Sequence, residues 1–360
     1  MKILIDIGHP AHVHLFKNFA SAMQKKGHIV LFTSREKEFE IDLLSKFELK
    51  FVSFGKKYKT LVGKIFGLFI FDLKMLLTSL KFKPNIFLSA GSMYAAQIAW
   101  VLRKPHITFE DTGNWEQIRL YLPFTQVVFS SDVFPFSYGD KQIRYQGHHE
   151  ISYLTKKYFS PNGNIFDSLK ITKDTKYAIL RFVSWNATHD RGQKGLNHEE
   201  KYKIINLLIQ NNIKIFISSE NELPIDLKQY KIPISPDQMH DALYFADIFI
   251  GEGATMAMEA GVLGTPAIYI NPLRRSYCQD LEQYDLVYNY SNSRGVLEKI
   301  NNIIDSKISK EYYKEKRTEL LNNKIDVTAF LIWFVENYPN SKIIMKDNPD
   351  YQLKFSTPEV

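Results

Sequence analysis

The chain has 360 residues, 45% of them hydrophobic and 24% charged, which is enough apolar material for a core and too little net charge for a disordered chain. One cysteine, Cys278, excludes an intrachain disulfide and a thiolate metal cluster, zinc fingers included. A net charge of +7 and a pI near 9.0 point to an anionic partner (nucleic acid, phosphorylated metabolite or acidic membrane surface), although the Lys-, Asn- and Ile-rich composition also follows from an AT-rich genome.

Met1-Lys2 lead straight into the β-branched run Ile3 to Ile7 with no signal-peptide core, so a cytoplasmic location is expected. Gly8 and Pro10 end that strand. A helical pattern from about Val13 to Lys26 follows, with Leu15, Phe16, Phe19 and Met23 on one face, then Gly27 and a second strand, His28 to Thr33. The crossover length suits a parallel pair. Further strands are expected at Phe51 to Phe54, Ile86 to Ser89, His106 to Phe109, Gln126 to Ser130 and Lys141 to Gln146, with helices between them. The long helical region to Phe82 is the most apolar, but Asp72 and Lys74 break it well short of the ~18–20 residues of a spanning helix. Lys56-Lys57-Tyr58-Lys59 and the lysines along this region suit either docking on anionic lipid or a buried helix with lysines at its ends.

Between Gly147 and Thr175 the pattern loosens, through Pro161-Asn162-Gly163-Asn164, and His148-His149-Glu150 reads there as structural. The rhythm restarts with strands at Tyr177 to Val183, Ile213 to Ser218, Asp247 to Gly251 and Pro266 to Ile270, alternating with helices. The expected organisation is an α/β fold of two Rossmann-like, doubly wound parallel-sheet domains at 1–160 and 161–340, facing a central cleft, with a tail at 341–360.

The sharpest motif runs from Asp247 to Ile268: a strand ends in Gly251-Glu252-Gly253 and a helix starts at once at Ala254. Glycine lets backbone N–H groups approach a ligand and the helix terminus adds about half a positive charge, so a diphosphate suits Gly253, Ala254, Thr255 and Met256. Glu259, about 6 Å further along the helix, reaches both hydroxyls of a ribose. The plain alternative is a tight connection followed by a solvated glutamate. No third glycine completes the G-x-G-x-x-G fingerprint, which argues against a nicotinamide dehydrogenase.

This segment resembles the donor-binding motif of GT-B glycosyltransferases and non-hydrolysing UDP-GlcNAc 2-epimerases, with its glycine turn, Glu259-Ala260 and Leu263-Gly264-Thr265-Pro266. Together with Gly8 to Phe16, Phe182 to Asp190 and Ser218-Ser219-Glu220, it resembles an uncharacterised bacterial and archaeal family of unknown function grouped with that superfamily, over nearly the whole chain. The resemblance implies a GT-B-like fold. It implies that Gly8 and His12 border the substrate phosphates, and that Arg181, Ser184 and His189, with Ser219 and Glu220, line the donor side. No metal and no cofactor are called for.

A neutral imidazole is a competent base, so His12, or else His14, is the candidate to deprotonate an acceptor; the alternative is that the loop histidines cap the following helix. Glu110 and Asp111 follow a strand and lie at the carboxyl edge of the sheet, open to acid/base work, while Asp111 also suits a helix cap. The departure from the epimerase His-x-Glu-Ala-Gly pattern argues against that reaction. Trp115 and Glu116 are candidates for the acceptor side, and His240 for the base or a cap. The expected activity is transfer of a sugar from a nucleotide-sugar donor, UDP-linked, to a glycan or lipid-linked acceptor, with contact at the inner membrane surface and no nucleic-acid partner. Its rivals are an epimerase or hydrolase on the same fold and a non-catalytic nucleotide-sugar-binding protein.

Overall fold

The computed structural model describes residues 1–56, 61–183, 195–219, 222–305 and 310–356, with side chains from Gly67 onward in the helix that opens at Leu61. The chain divides into two compact units, Met1–Tyr153 with Lys324–Thr357, and Leu154–Asn323.

In the first unit β1 (Lys2–Ile7), α1 (Pro10–Lys25), β2 (Ile29–Glu36), α2 (Glu40–Lys46), β3 (Phe51–Lys56), α3 (Leu61–Phe82), β4 (Ile86–Ala90), α4 (Met93–Val101), β5 (His106–Phe109), α5 (Trp115–Tyr121), β6 (Val127–Ser131) and β7 (Gln142–Tyr145) succeed one another, and α6 (Ile151–Leu154) stands at the division. The seven strands are parallel in the order β3-β2-β1-β4-β5-β6-β7. Ile3, Leu4, Ile5 and Ile7 are all buried, the continuous apolar run of a parallel strand covered on both faces. The chain moves one way along the sheet through α1 and α2 and the other way through α3, α4 and α5. Right-handed crossovers therefore put the two groups on opposite faces.

The second unit follows the same logic: α7 (Ile165–Leu169), β8 (Tyr177–Phe182), α8 (His198–Gln210), β9 (Lys214–Ser219), α9 (Met239–Phe245), β10 (Ile248–Gly251), α10 (Ala254–Leu263), β11 (Ala267–Ile270), α11 (Ser276–Glu282), β12 (Val287–Tyr290), α12 (Val296–Asp305) and α13 (Lys310–Asn322). Its parallel sheet runs β12-β11-β10-β8-β9. Leu180, Leu208, Ile215, Ile248, Ile268 and Ile300 belong to one core cluster. The strand order reverses between β1 and β4 in one sheet and between β8 and β10 in the other. At such points neighbouring crossovers depart in opposite directions and open a crevice at the strands' carboxyl ends.

The chain then returns to the first unit with α14 (Val327–Glu336) and α15 (Asn340–Asp347). Asp326 caps α14 by accepting from the Ala329 N–H at 2.8 Å. Phe330 and Phe334 set their edges against Phe129 at 5.6 and 4.7 Å, and the Ile325 N–H donates to the Gln146 carbonyl. The sequence-based division into 1–160, 161–340 and a tail therefore differs from the fold: the residues from Lys324 complete the first unit, because the apolar face of α14 is needed over its sheet. No helix among the described residues is long and apolar enough to cross a membrane.

Candidate functional site

In the second unit the predicted phosphate turn sits at the point of reversal. Gly251 pairs with Arg181 across β10 and β8, and a Cβ there would stand 2.9 Å from the Arg181 carbonyl oxygen and 2.8 Å from Phe249, so only glycine permits this approach. Gly253 is the N-cap of α10 and has no side chain with which to cap it. Gly253, Ala254, Thr255 and Met256 are all partly exposed. The first-turn amides and the positive end of the helix thus open at the sheet's carboxyl edge, the arrangement that binds anions. Arg181 projects from β8 and donates from Nη1 to Ser218 Oγ at 2.9 Å; Ser219, next along β9, is partly exposed. Ser184, His189 and Glu220 lie outside the described residues.

Glu259 is not a solvated helix residue. It is buried, and His240 Nε2 on α9 donates to its Oε1 at 3.0 Å, so His240 holds a carboxylate rather than capping a helix. Sequence reasoning missed Glu252. Its buried carboxylate accepts from the Val183 N–H through Oε2 at 3.1 Å and from the Leu196 N–H through Oε1 at 2.7 Å, tying together the two ends of the segment that holds Ser184 and His189. Asn271 Nδ2 donates to the Glu252 carbonyl at 3.0 Å, which anchors the start of the β11–α11 connection, the loop that carries Arg274 and Arg275, to the same turn. Two adjacent arginines in the short loop after a strand are the signal that would have marked this loop.

In the first unit the point of reversal rests on a buried polar network. Arg35 Nη1 donates to both Asp6 oxygens at 2.7 Å, Arg35 Nη2 donates to the Ile7 carbonyl at 2.9 Å, Thr33 Oγ1 donates to Asp6 at 2.7 Å, and Ser92 Oγ also donates to it. A Cβ on Gly8 would stand 3.2 Å from Arg35 Nη2. Burial, and then Asp6, push the Asp72 carboxyl up to about 6.

The three loop histidines have separate fates. His9 is the one that caps α1, accepting from the Ala11 N–H at 3.2 Å. His14 is buried between Phe47 and Tyr153, at 5.6 and 5.4 Å, which makes it a packing residue and corrects its candidacy as a base. His12 Nδ1 accepts from the Gly8 N–H at 3.3 Å. The neutral ring therefore carries its proton on Nε2, and the Nδ1 lone pair is engaged by the Gly8 amide.

Glu110 and Asp111, interchangeable in sequence, differ in the fold. Glu110 is buried; its Oε1 accepts from Thr112 N, Thr112 Oγ1 and Gly113 N at 2.7, 2.6 and 2.8 Å, and Tyr121 donates to its Oε2. Burial and the neighbouring Asp111 push its pKa up against those hydrogen bonds, but its oxygens are spent on the turn into α5. Asp111 does not cap α5, whose N-cap is Asn114. It is partly exposed and faces His149, with Nδ1 and Oδ2 3.2 Å apart. Burial works to lower the His149 pKa, yet Asp111, Glu150 and Glu110 outweigh it and hold the ring above its ordinary value. His149, read from sequence as structural, is paired with Asp111 at the carboxyl edge of the sheet. Trp115 stacks on Tyr138 at 6.2 Å.

A family model described as "Protein of unknown function (DUF354)" matches residues 1–338, and the chain belongs to that family. It is 26% identical over 290 residues to an uncharacterized protein of Methanocaldococcus jannaschii, covering 76% of this chain and 82% of the relative. It is similar to the structure of UDP-GlcNAc 2-epimerase from Neisseria meningitidis bound to UDP-GlcNAc, with a TM-score of 0.65 and 16% identity over 94% of this chain and 100% of that one. It is also similar to spinosyn rhamnosyltransferase SpnG complexed with spinosyn aglycone, with a TM-score of 0.55 and 11% identity over 94% and 100% of the two chains. At such identities the likeness is one of fold, and the fold is the two-domain parallel-sheet architecture of GT-B glycosyltransferases and 2-epimerases, the superfamily that the Gly251 to Ile268 segment resembles.

Proposed function

We propose that this chain is a metal-independent glycosyltransferase that moves a sugar from a UDP-linked donor to an acceptor hydroxyl in surface polysaccharide or glycolipid assembly. The observation that carries the reading is the uncapped amino terminus of α10 at the reversal of the second sheet. In this reading the amides of Ala254, Thr255 and Met256 and the helix dipole neutralise the leaving diphosphate, with Arg181, Ser184, His189, Ser219 and Glu220 adding donors and acceptors. Glu259, fixed by His240, accepts from the ribose hydroxyls. In the first unit Gly8 and the Nε2–H of His12 meet phosphate, and Asp111, held by His149, takes the proton from the acceptor. Glu110 supports transfer over epimerisation: an epimerase needs acid/base groups for both faces of the sugar, and this carboxylate is occupied by the turn it holds. The likeness to the meningococcal epimerase keeps epimerisation as the second reading.

Calorimetry against UDP, GDP, dTDP, CMP and their common sugars, without added metal, tests this. UDP compounds are expected to bind selectively, and Glu259→Ala to weaken them by at least ~10-fold, the loss of a charged hydrogen-bonding partner. No nucleotide binding, or binding unchanged within twofold in the variant, overturns the assignment. Conversion of a bound donor to its epimer with no acceptor present moves the conclusion to the epimerase.

A further inference from the structure

Helix α3 has a face that the first unit leaves uncovered. Its inner side packs Phe71 and Met75 with Ala95, Ile98 and Ala99 of α4. On its outer side Phe69 is 72% exposed, Leu73 55%, Leu77 57% and Leu80 53%. At 3.6 residues per turn the four fall within about 80° of arc, along a stripe about 16 Å long. Outer faces of surface helices are normally polar, and a contiguous apolar stripe marks an interaction site.

The charge around the stripe selects its partner. Between Leu49 and Phe109 there are ten lysines and arginines and one carboxylate, Asp72. This segment therefore carries +9, more than the +7 of the whole chain, and the remainder is at −2. The fold gathers part of that charge on one edge. Lys2, Lys81, Lys83, Arg103 and Lys104 stand at or just before the amino ends of β1, β4 and β5, which are adjacent strands. All but Lys2 are exposed, and none of the five forms an ion pair among the described residues. Trp100 and Val101, both exposed, end α4 on this same edge.

We propose that the outer face of α3 and this basic edge dock the protein on an anionic phospholipid surface. Leucine and phenylalanine side chains enter the headgroup boundary, while lysines lay their stems along it and pair with lipid phosphates. A second copy of the chain is a poor occupant, since a twofold contact would set this positive patch against itself. Docking uses the amino edge of the sheet and one helix face, and leaves open the carboxyl edge that bears Gly8, His12 and Asp111. The inference stands without the sugar-transfer reading.

Sedimentation of the full chain with phosphatidylcholine vesicles, with or without about 30 mol % phosphatidylglycerol, tests it. Binding is expected to be at least ~10-fold tighter on the anionic vesicles and to weaken as salt is raised. Leu73→Gln/Leu77→Gln should lower it at least ~10-fold with the melting temperature unchanged, and Lys81→Glu/Lys83→Glu should abolish the preference for anionic lipid. Equal binding to both vesicles, no binding, or binding unaffected by either variant overturns the proposal. So does a dimer in sedimentation velocity that Leu73→Gln/Leu77→Gln dissociates, which would make the occupant a second copy.

Discussion

Replacing Asp6 by alanine should unsettle the first unit more than any other single polar change. The carboxylate is fully buried and takes four hydrogen bonds, two from Arg35 and one each from Thr33 and Ser92. Without it the buried Arg35 guanidinium keeps the Ile7 carbonyl and the face of Tyr94, at 4.8 Å, but no counter-charge. Removing one partner of a buried ion pair costs about 3–5 kcal/mol, a large share of the ~5–15 kcal/mol that holds a domain folded. Urea denaturation at pH 7 should show that loss for Asp6→Ala and a similar one for Arg35→Met. The double variant should lose at least ~2 kcal/mol less than the sum, because it leaves no orphan charge. Asp72 supplies a second reading: part of its elevation to about 6 comes from Asp6, so its pKa should fall in Asp6→Ala when followed by NMR. A cost under ~1 kcal/mol with Asp72 unmoved would mean that water reaches Arg35, and the buried-network argument would fail.

Three further outcomes are expected. By NMR titration His149 should have a pKa above the ~6.5 of a free imidazole, and Asp111→Asn should lower it. Because the folded-state value is the raised one, the stabilisation from this pair is complete below ~6.5 and fades as pH rises through the folded pKa; a greater stability cost of Asp111→Asn at pH 9 than at pH 6 would contradict the pairing. Glu252→Ala strands the Val183 and Leu196 amides. It should lower stability by about 2–4 kcal/mol in thermal or urea melts, and an unchanged melt would show that solvent replaces the carboxylate. Gly251→Ala forces a Cβ to within 2.9 Å of the Arg181 carbonyl, and since backbone does not yield as a side-chain tip does, about 2–3 kcal/mol should be lost. A neutral result would place β10 further from β8 than the structure has it.

Much of this architecture is legible in local pattern. The runs Ile3 to Ile7 and Tyr177 to Val183 announce buried parallel strands by composition alone, and Gly251-Glu252-Gly253 announces a turn into a helix. Pairings between distant segments are not legible. Asp111 and His149 follow β5 and β7, and they meet only because both leave the carboxyl edge of one parallel sheet, where they reach each other across the end of β6; neither residue's neighbours in sequence hint at the other. Glu252 looks like a linker between two glycines, and its role appears only with amides 69 and 56 residues away in the chain. His240 and Glu259 lie on consecutive helices, a spacing compatible with many orientations. The apolar face of α14 shows that it must be buried, but periodicity does not say against which sheet.

The return of the chain at Lys324 also sets an order of events on the ribosome. Everything needed for the second sheet has been synthesised by Asn323, whereas Phe129 waits for Phe330 and Phe334. At about 5–20 residues per second, the 201 residues from Phe129 to Phe330 take on the order of 10–40 seconds to elongate. During that interval one wall of the earlier sheet is uncovered, and the chain of the later unit is completed before the helix that covers it is made. The part translated first is thus the part that folds last, and a fragment ending at Tyr153 would keep its seven strands while lacking the helix that seals them.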